Sequence, residues 1–285
     1  MSIPAALLTA DSLAATLDII PGREALGLNG DTRAELISEQ IVGLQAMPES
    51  TQMARYCEYA AKYLPQTIQK WKDGEVCLDQ TAMFAAPLLR NEICDIPYFM
   101  RLAILPHNQD WVTMQFTRTL AAANVMDTMP EEGVERILQY LSTLLVIQGA
   151  DNVPNEEKTA MIARLRIWQG RFPHVHSAER CLGMLSALPF PDSIIPTASI
   201  MRDRLLKGVH SCAICLSVKG VDGGTLLRCA KCRSTVYVRL IVNAHVCVMR
   251  LIFIQCGQEH QRAHWRQHKP QCFRVNFSCT LWRGI

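Results

Sequence analysis

Apolar side chains recur at three- and four-residue spacing along most of the first two hundred residues, the period of a helix with one face turned inward. Residues 3–18 and 31–47 show it first, and Thr32 with Glu35 has the arrangement of a capping box ahead of the second stretch. A third face runs through Met53, Tyr56, Cys57, Ala60, Ala61 and Leu64, and Pro65 is expected to end it. Residues 78–94 predict another helix, with a kink or break at Pro87, and 108–128 predict a long one. Pro130 followed by Glu131 and Glu132 opens a helix to Gln148, where Gly149 stops it. Pro154 opens the next in the same style, through Gln169. Shorter helices fit 177–188 and 198–207, separated by the Pro-rich 189–196. No alternating β-branched run competes before residue 209.

The pattern predicts a mainly α protein, with an all-α domain over residues 1–207 built of about eight to ten helices, antiparallel by their short connections. A solenoid of helix pairs is an open alternative, but no fixed-period repeat supports it. A chain of 285 residues, 49% hydrophobic, has ample material for a core. The first twenty residues lack a basic start and carry Asp11 and Asp18, so they read as an amphipathic helix rather than a signal peptide.

Charge divides the chain. Residues 1–206 hold 17 Lys/Arg against 24 Asp/Glu, a balance of −7, whereas residues 207–285 hold 12 against 2, a balance of +10. A basic end can attract nucleic acid or an acidic protein surface. No aromatic-and-basic stripe accompanies it, so a solvated basic helix is the favoured account.

The helical half offers no catalytic motif: no G-x-S-x-G, phosphate-binding loop or dinucleotide fingerprint occurs. His107, His174 and His176 read as lone surface histidines, and Trp71, Trp111 and Trp168 as packing residues. Cys57, Cys77, Cys94 and Cys181 sit among apolar neighbours and read as buried thiols.

The last quarter is different. Seven of the twelve cysteines lie between 212 and 272, six of them at ligand spacing, which argues for metal in a reducing compartment rather than for disulfides. Cys212-Ala-Ile-Cys215 and Cys229-Ala-Lys-Cys232 are two Cys-x-x-Cys knuckles, followed by Cys256, His260, His264, His268 and Cys272. Zinc takes four sulfur or nitrogen donors in a tetrahedron, so eight such donors make two sites.

The runs CAKCRSTVY (229–237) and CGQEHQRAHWRQHKPQC (256–272) resemble the second half of a MYND-type zinc finger. The resemblance covers about a fifth of the chain and says nothing of residues 1–205. It implies a finger over residues 208–272 with interleaved zinc sites. Cys212, Cys215, Cys256 and His260 would hold one ion; Cys229, Cys232, His268 and Cys272 would hold the other. Spacing agrees, since Cys256 with His260, and His268 with Cys272, are four apart and share a helix face. The family has cysteine where this chain has His260. Three thiolates and one imidazole remain a sound site, at a charge of −1 rather than −2. His264, four residues after His260, can compete for that ion; His260 keeps the three-residue gap after Cys256. Trp265 and Tyr237 are expected to form an apolar patch between the ions. Sites closed by four protein donors are structural, and metal binding would supply about 10–16 kcal/mol of folding free energy at each.

Residues 238–255, VRLIVNAHVCVMRLIFIQ, interrupt the finger. Without them five residues would separate the Cys229/Cys232 pair from Cys256, a spacing familiar in the family. Val238 requires a codon starting GT, Gln255 can be encoded by CAG, and 11 of the 18 residues require T at the second codon position. Those features read as a retained intron, against the alternative of a genuine apolar insertion. Arg239, Asn243, His245 and Arg250 argue against a membrane span. Residues 273–285 are expected to form an unstructured tail.

The resemblance implies a zinc-binding adaptor rather than an enzyme, docking short proline-containing peptides of protein partners, with a link to transcriptional regulation. An intracellular location, cytoplasm or nucleus, follows from the reduced thiols. Two alternatives stand beside it. One is a relative of the SET-type lysine methyltransferases, whose Asn-His signature and Gly-rich strand are not found here. The other is nucleic-acid binding through the basic end.

Overall fold

The computed structural model describes residues 8–20, 30–73, 89–94, 96–186, 209, 211–214, 217–219, 225–232, 235–237 and 258–275. Among these the protein is mainly α. The helices are α1 (Ala10–Thr16), α2 (Gly30–Gln45), α3 (Glu49–Asp73), α4 (Pro97–Ala103), α5 (Trp111–Ala121), α6 (Ala123–Met126), α7 (Glu131–Gln148), α8 (Asn155–Arg171) and α9 (His176–Leu185). A two-residue ladder, β1 (Leu227–Arg228) with β2 (Val236–Tyr237), precedes α10 (Gln258–His268). No described helix is long and apolar enough to cross a membrane.

Local chemistry accounts for several boundaries. Helix α1 starts at a capping box, in which Thr9 Oγ1 accepts from the Ser12 amide and Ser12 Oγ accepts from the Thr9 amide, each at 3.0 Å. It ends with Asp18 at φ 51°, the Ile19 amide reaching back to Ala14 O and the Asp18 carboxylate pairing with Arg33 of α2. Gly149 takes φ 74° after α7 and returns its amide to Leu145 O, the stop expected there. Pro130 and Pro154 stand immediately before α7 and α8, as their acidic first turns suggested.

Other expectations do not hold. Pro65 does not end a helix: α3 runs through it to Asp73. The residues beyond it continue the buried face with Thr67, Ile68 and Trp71, and Thr67 Oγ1 bonds both Tyr63 O and the Tyr59 hydroxyl. Burial of that face outweighs one lost backbone bond. Helix α2 begins at Gly30, which places Thr32 inside its first turn rather than ahead of it. The long stretch expected over 108–128 is divided. Residues Pro106–Asn108 form a 3-10 turn, α5 starts at Trp111, and the helix restarts after Ala122 as α6. Helix α4 was not foreseen; its signal is Pro97 at the first helical position. Of the stretch 78–94, residues 89–93 are helical, and 78–88, Pro87 and Cys77 lie outside the described residues, as do 187–208.

Helix α9 packs on α7 and α8, α5 on α7 and α8, α1 on α2 and α3, and α3 on α4. Trp71, Trp111, Phe99 and Tyr140 meet edge to face or tilted where α3, α4, α5 and α7 converge, with centroids 5.5–6.3 Å apart. The Gln148 side chain closes the loop between α4 and α5: its amide nitrogen donates to Ala103 O and Asn108 O, and its oxygen accepts from the Val112 amide. Trp168 is buried and donates its indole N–H to Asp127 at 2.8 Å. Cys57, Cys94 and Cys181 are buried, and His107, His174 and His176 are exposed, as expected.

The C-terminal part rests on this helical body. The 3-10 turn Lys269–Gln271 packs on α3, and Ala213, Cys229, Cys232 and Cys272 join the same contiguous core as the helices. Trp111→Ala removes the centre of the aromatic cluster and is expected to lower unfolding free energy by about 3–5 kcal/mol in urea titration. A change below about 1 kcal/mol would show that the cluster tolerates collapse.

Candidate metal centre

The ladder β1–β2 exists to bend the chain. Leu227 pairs with Tyr237 and Arg228 with Val236, and the Cys229 amide donates to Thr235 O at 2.9 Å, closing the turn that carries Cys229-Ala-Lys-Cys232. Cys229 and Cys232 are both buried on it, and Ala230 and Lys231 are exposed. On the opposite side α10 delivers His268 at its last residue, and the Pro-containing 3-10 turn brings Cys272 back to it. The four-residue separation thus keeps both donors on one side, although the helix tightens after His268.

The four side chains converge. Cys229 Sγ lies 3.6 Å from Cys272 Sγ and 3.4 Å from His268 Nε2, and Cys232 Sγ lies 3.5 Å from the same nitrogen. All four donor atoms fall within 4.8 Å of one another, and all four residues are buried. Bonds of about 2.3 Å to sulfur and 2.0 Å to nitrogen in a tetrahedron set donors about 3.4–3.8 Å apart. The cluster therefore has the spacing and donor types of a site that can hold a metal ion.

Electrostatics point the same way. Burial, and then the Cys232 and Cys229 sulfurs, push the Cys272 thiol well above its usual range. The hydrogen bond with Cys232, then burial, raise Cys229; the Cys232 amide and His268 act in the opposite sense. Sulfurs this close resist ionising together unless a cation sits among them, and a cation inverts the balance outright. The Thr235 hydroxyl stands 3.5 Å from His268 Nδ1, where it can accept a hydrogen bond from Nδ1–H and leave the Nε2 lone pair facing the sulfurs, free to ligate an ion.

Of the eight candidate ligands, the structure gathers Cys229, Cys232, His268 and Cys272. Cys212 is buried, and its amide donates to Ser217 O at 2.8 Å across the first knuckle. Cys215, Cys256 and the side chain of His260 lie outside the described residues, as does the interruption 238–255. His264 stacks on His268 with centroids 5.7 Å apart. Trp265 is 38% exposed and tilts against His268, so its ring is not enclosed between sites; the Tyr237 side chain is outside the described residues.

Two residues at the cluster carried no recognisable sequence signal as such: Thr235, and Tyr98 of α4. The Tyr98 hydroxyl lies 3.0 Å from both Gln271 O and Phe273 O and accepts from the Phe273 amide at 2.8 Å. Only Pro97, marking a helix start, hinted that this segment was ordered.

Thr235→Val is expected to weaken metal binding about 10-fold or more, read by competition with a chromophoric chelator. Because the thiols hold their protons above the usual range, loading an ion must displace them. Zinc affinity should fall as pH drops from 8 to 6, and calorimetry in two buffers of different ionisation enthalpy should register proton release. A pH-independent affinity would contradict thiol ligation. No family model, curated protein or solved structure matches the chain.

Proposed function

We propose that the protein is a zinc-binding adaptor, in which a MYND-type finger over residues 208–272 docks short proline-containing peptides of partner proteins. The convergence of Cys229, Cys232, His268 and Cys272 in one buried cluster carries this reading. Three sulfurs and an imidazole favour zinc over harder ions. Four protein donors leave no position for a substrate water, so the ion holds structure and performs no chemistry. A second zinc would take Cys212, Cys215, Cys256 and His260. The role is binding, not catalysis, in an intracellular setting, cytoplasm or nucleus, with transcriptional regulation as the process.

Exposed apolar side chains support a docking role. Six large ones are exposed among the described residues, and four of them, Ile214, Val218, Leu227 and Trp265, belong to the finger. A small metal-held module that leaves such side chains in water offers contact area to a partner. Exposed Arg262, Arg266 and Lys269 on and just after α10 favour a second reading, nucleic-acid binding.

Elemental analysis of purified full-length protein should find two zinc ions per chain. Immobilised proline-rich peptide should retain the wild type and lose Cys229→Ala. Retention of duplex DNA with a steep salt dependence, and of no peptide, would transfer the proposal to the nucleic-acid reading.

A further inference from the structure

The metal cluster is not enclosed by finger residues alone. Helix α4 of the helical body supplies Tyr98, which is 1% exposed. The Tyr98 hydroxyl touches the backbone on both sides of Cys272, accepting from the Phe273 amide and standing 3.0 Å from the Gln271 and Phe273 carbonyl oxygens. Its single proton can satisfy either carbonyl. A phenol from one part of the fold thus holds the backbone that aims a sulfur in the other.

Arg101, on the same face of α4, is buried as deeply. Burial lowers its guanidinium from the usual range; Arg228 adds to that, and Cys232 acts in the opposite sense. The Lys269–Gln271 turn on α3 continues the same interface.

We propose that Tyr98 is a positioning residue of the metal centre, so that metal binding and docking of the C-terminal segment onto α3 and α4 are one linked event. The proposal rests on the zinc-binding reading above. Tyr98 fixes where Cys272 points by holding the backbone on both sides of it. By linkage, whatever favours the docked arrangement favours the ion, and the ion favours docking to the same extent. The cluster therefore fastens the C-terminal segment to the helical body, and loss of metal loosens that attachment.

The test uses full-length protein titrated with Co2+, reading the thiolate-to-cobalt absorbance that is lost in Cys229→Ser. Tyr98→Phe should weaken that binding about 10- to 100-fold, the range for partners that orient a ligand. Tyr98→Phe should also alter the cobalt spectrum, which a loss of general stability would not do. Leu165→Ala, a core truncation in α8, serves as the control and should leave affinity and spectrum unchanged. Hydrogen exchange on the wild type gives a second measure that needs no variant: added Zn2+ should slow amides of α3 and α4 while those of α8 stay as they were. Wild-type affinity and spectrum in Tyr98→Phe, or unchanged exchange in α4 on loading, would overturn the linkage and leave the zinc-binding reading standing. Failure of the wild type to take up Co2+ would remove both.

Discussion

Three sulfurs and one imidazole nitrogen, drawn from positions 229, 232, 268 and 272, occupy a space a few ångströms wide inside the protein. Polar groups of this kind are stable in a low-dielectric interior only with a partner that answers all of them at once. A single thiol can lie quietly among apolar neighbours, as Cys57 and Cys181 do. Four converging donors are a different matter, because each raises the cost of ionising the next. A divalent cation removes that conflict, and the short ladder, the knuckle and the Pro270 turn can all be understood as the means of bringing the donors within its reach.

The helical body has no such dependence. Its core is made of Leu, Ile, aromatic and Ala side chains contributed by every described helix from α1 to α9, and several of its polar groups are answered from within it. Gln148 serves three backbone groups, Asp127 serves Trp168, and Glu135 accepts from the Ser177 amide at the start of α9. The C-terminal segment is too small to bury a comparable core. It borrows one instead: Cys229, Cys232 and Cys272 pack into the same contiguous apolar cluster as α3 and α4. Where the two meet, the Tyr98 phenol and a 3-10 turn make the joint.

The C-terminal segment divides its side chains accordingly. Its four donors are buried, while Ile214, Val218, Leu227 and Trp265 are exposed, along with Arg262, Arg266 and Lys269 of α10 and the turn after it. On the adaptor reading proposed above, rigidity at the donors would lower the entropic cost of recognising a ligand.

Much of this was legible in the chain itself. Helical periodicity, Pro–acid starts at 130 and 154, and the glycine at 149 determined α7, α8 and their limits, because those signals act within a few residues of backbone. The donor types and spacings at 229, 232, 268 and 272 likewise announced their chemistry, since a tetrahedral ion accepts few patterns. Local rules failed where distant burial overrode them. Pro65 passes through α3 because Thr67, Ile68 and Trp71 have a core to enter, a fact no window around residue 65 contains. Nor does any local pattern join Tyr98 to Phe273 across 175 positions. A tyrosine or arginine on a short helix looks the same in sequence whether it faces solvent, core or metal. Its role is decided only when packing chooses its neighbours.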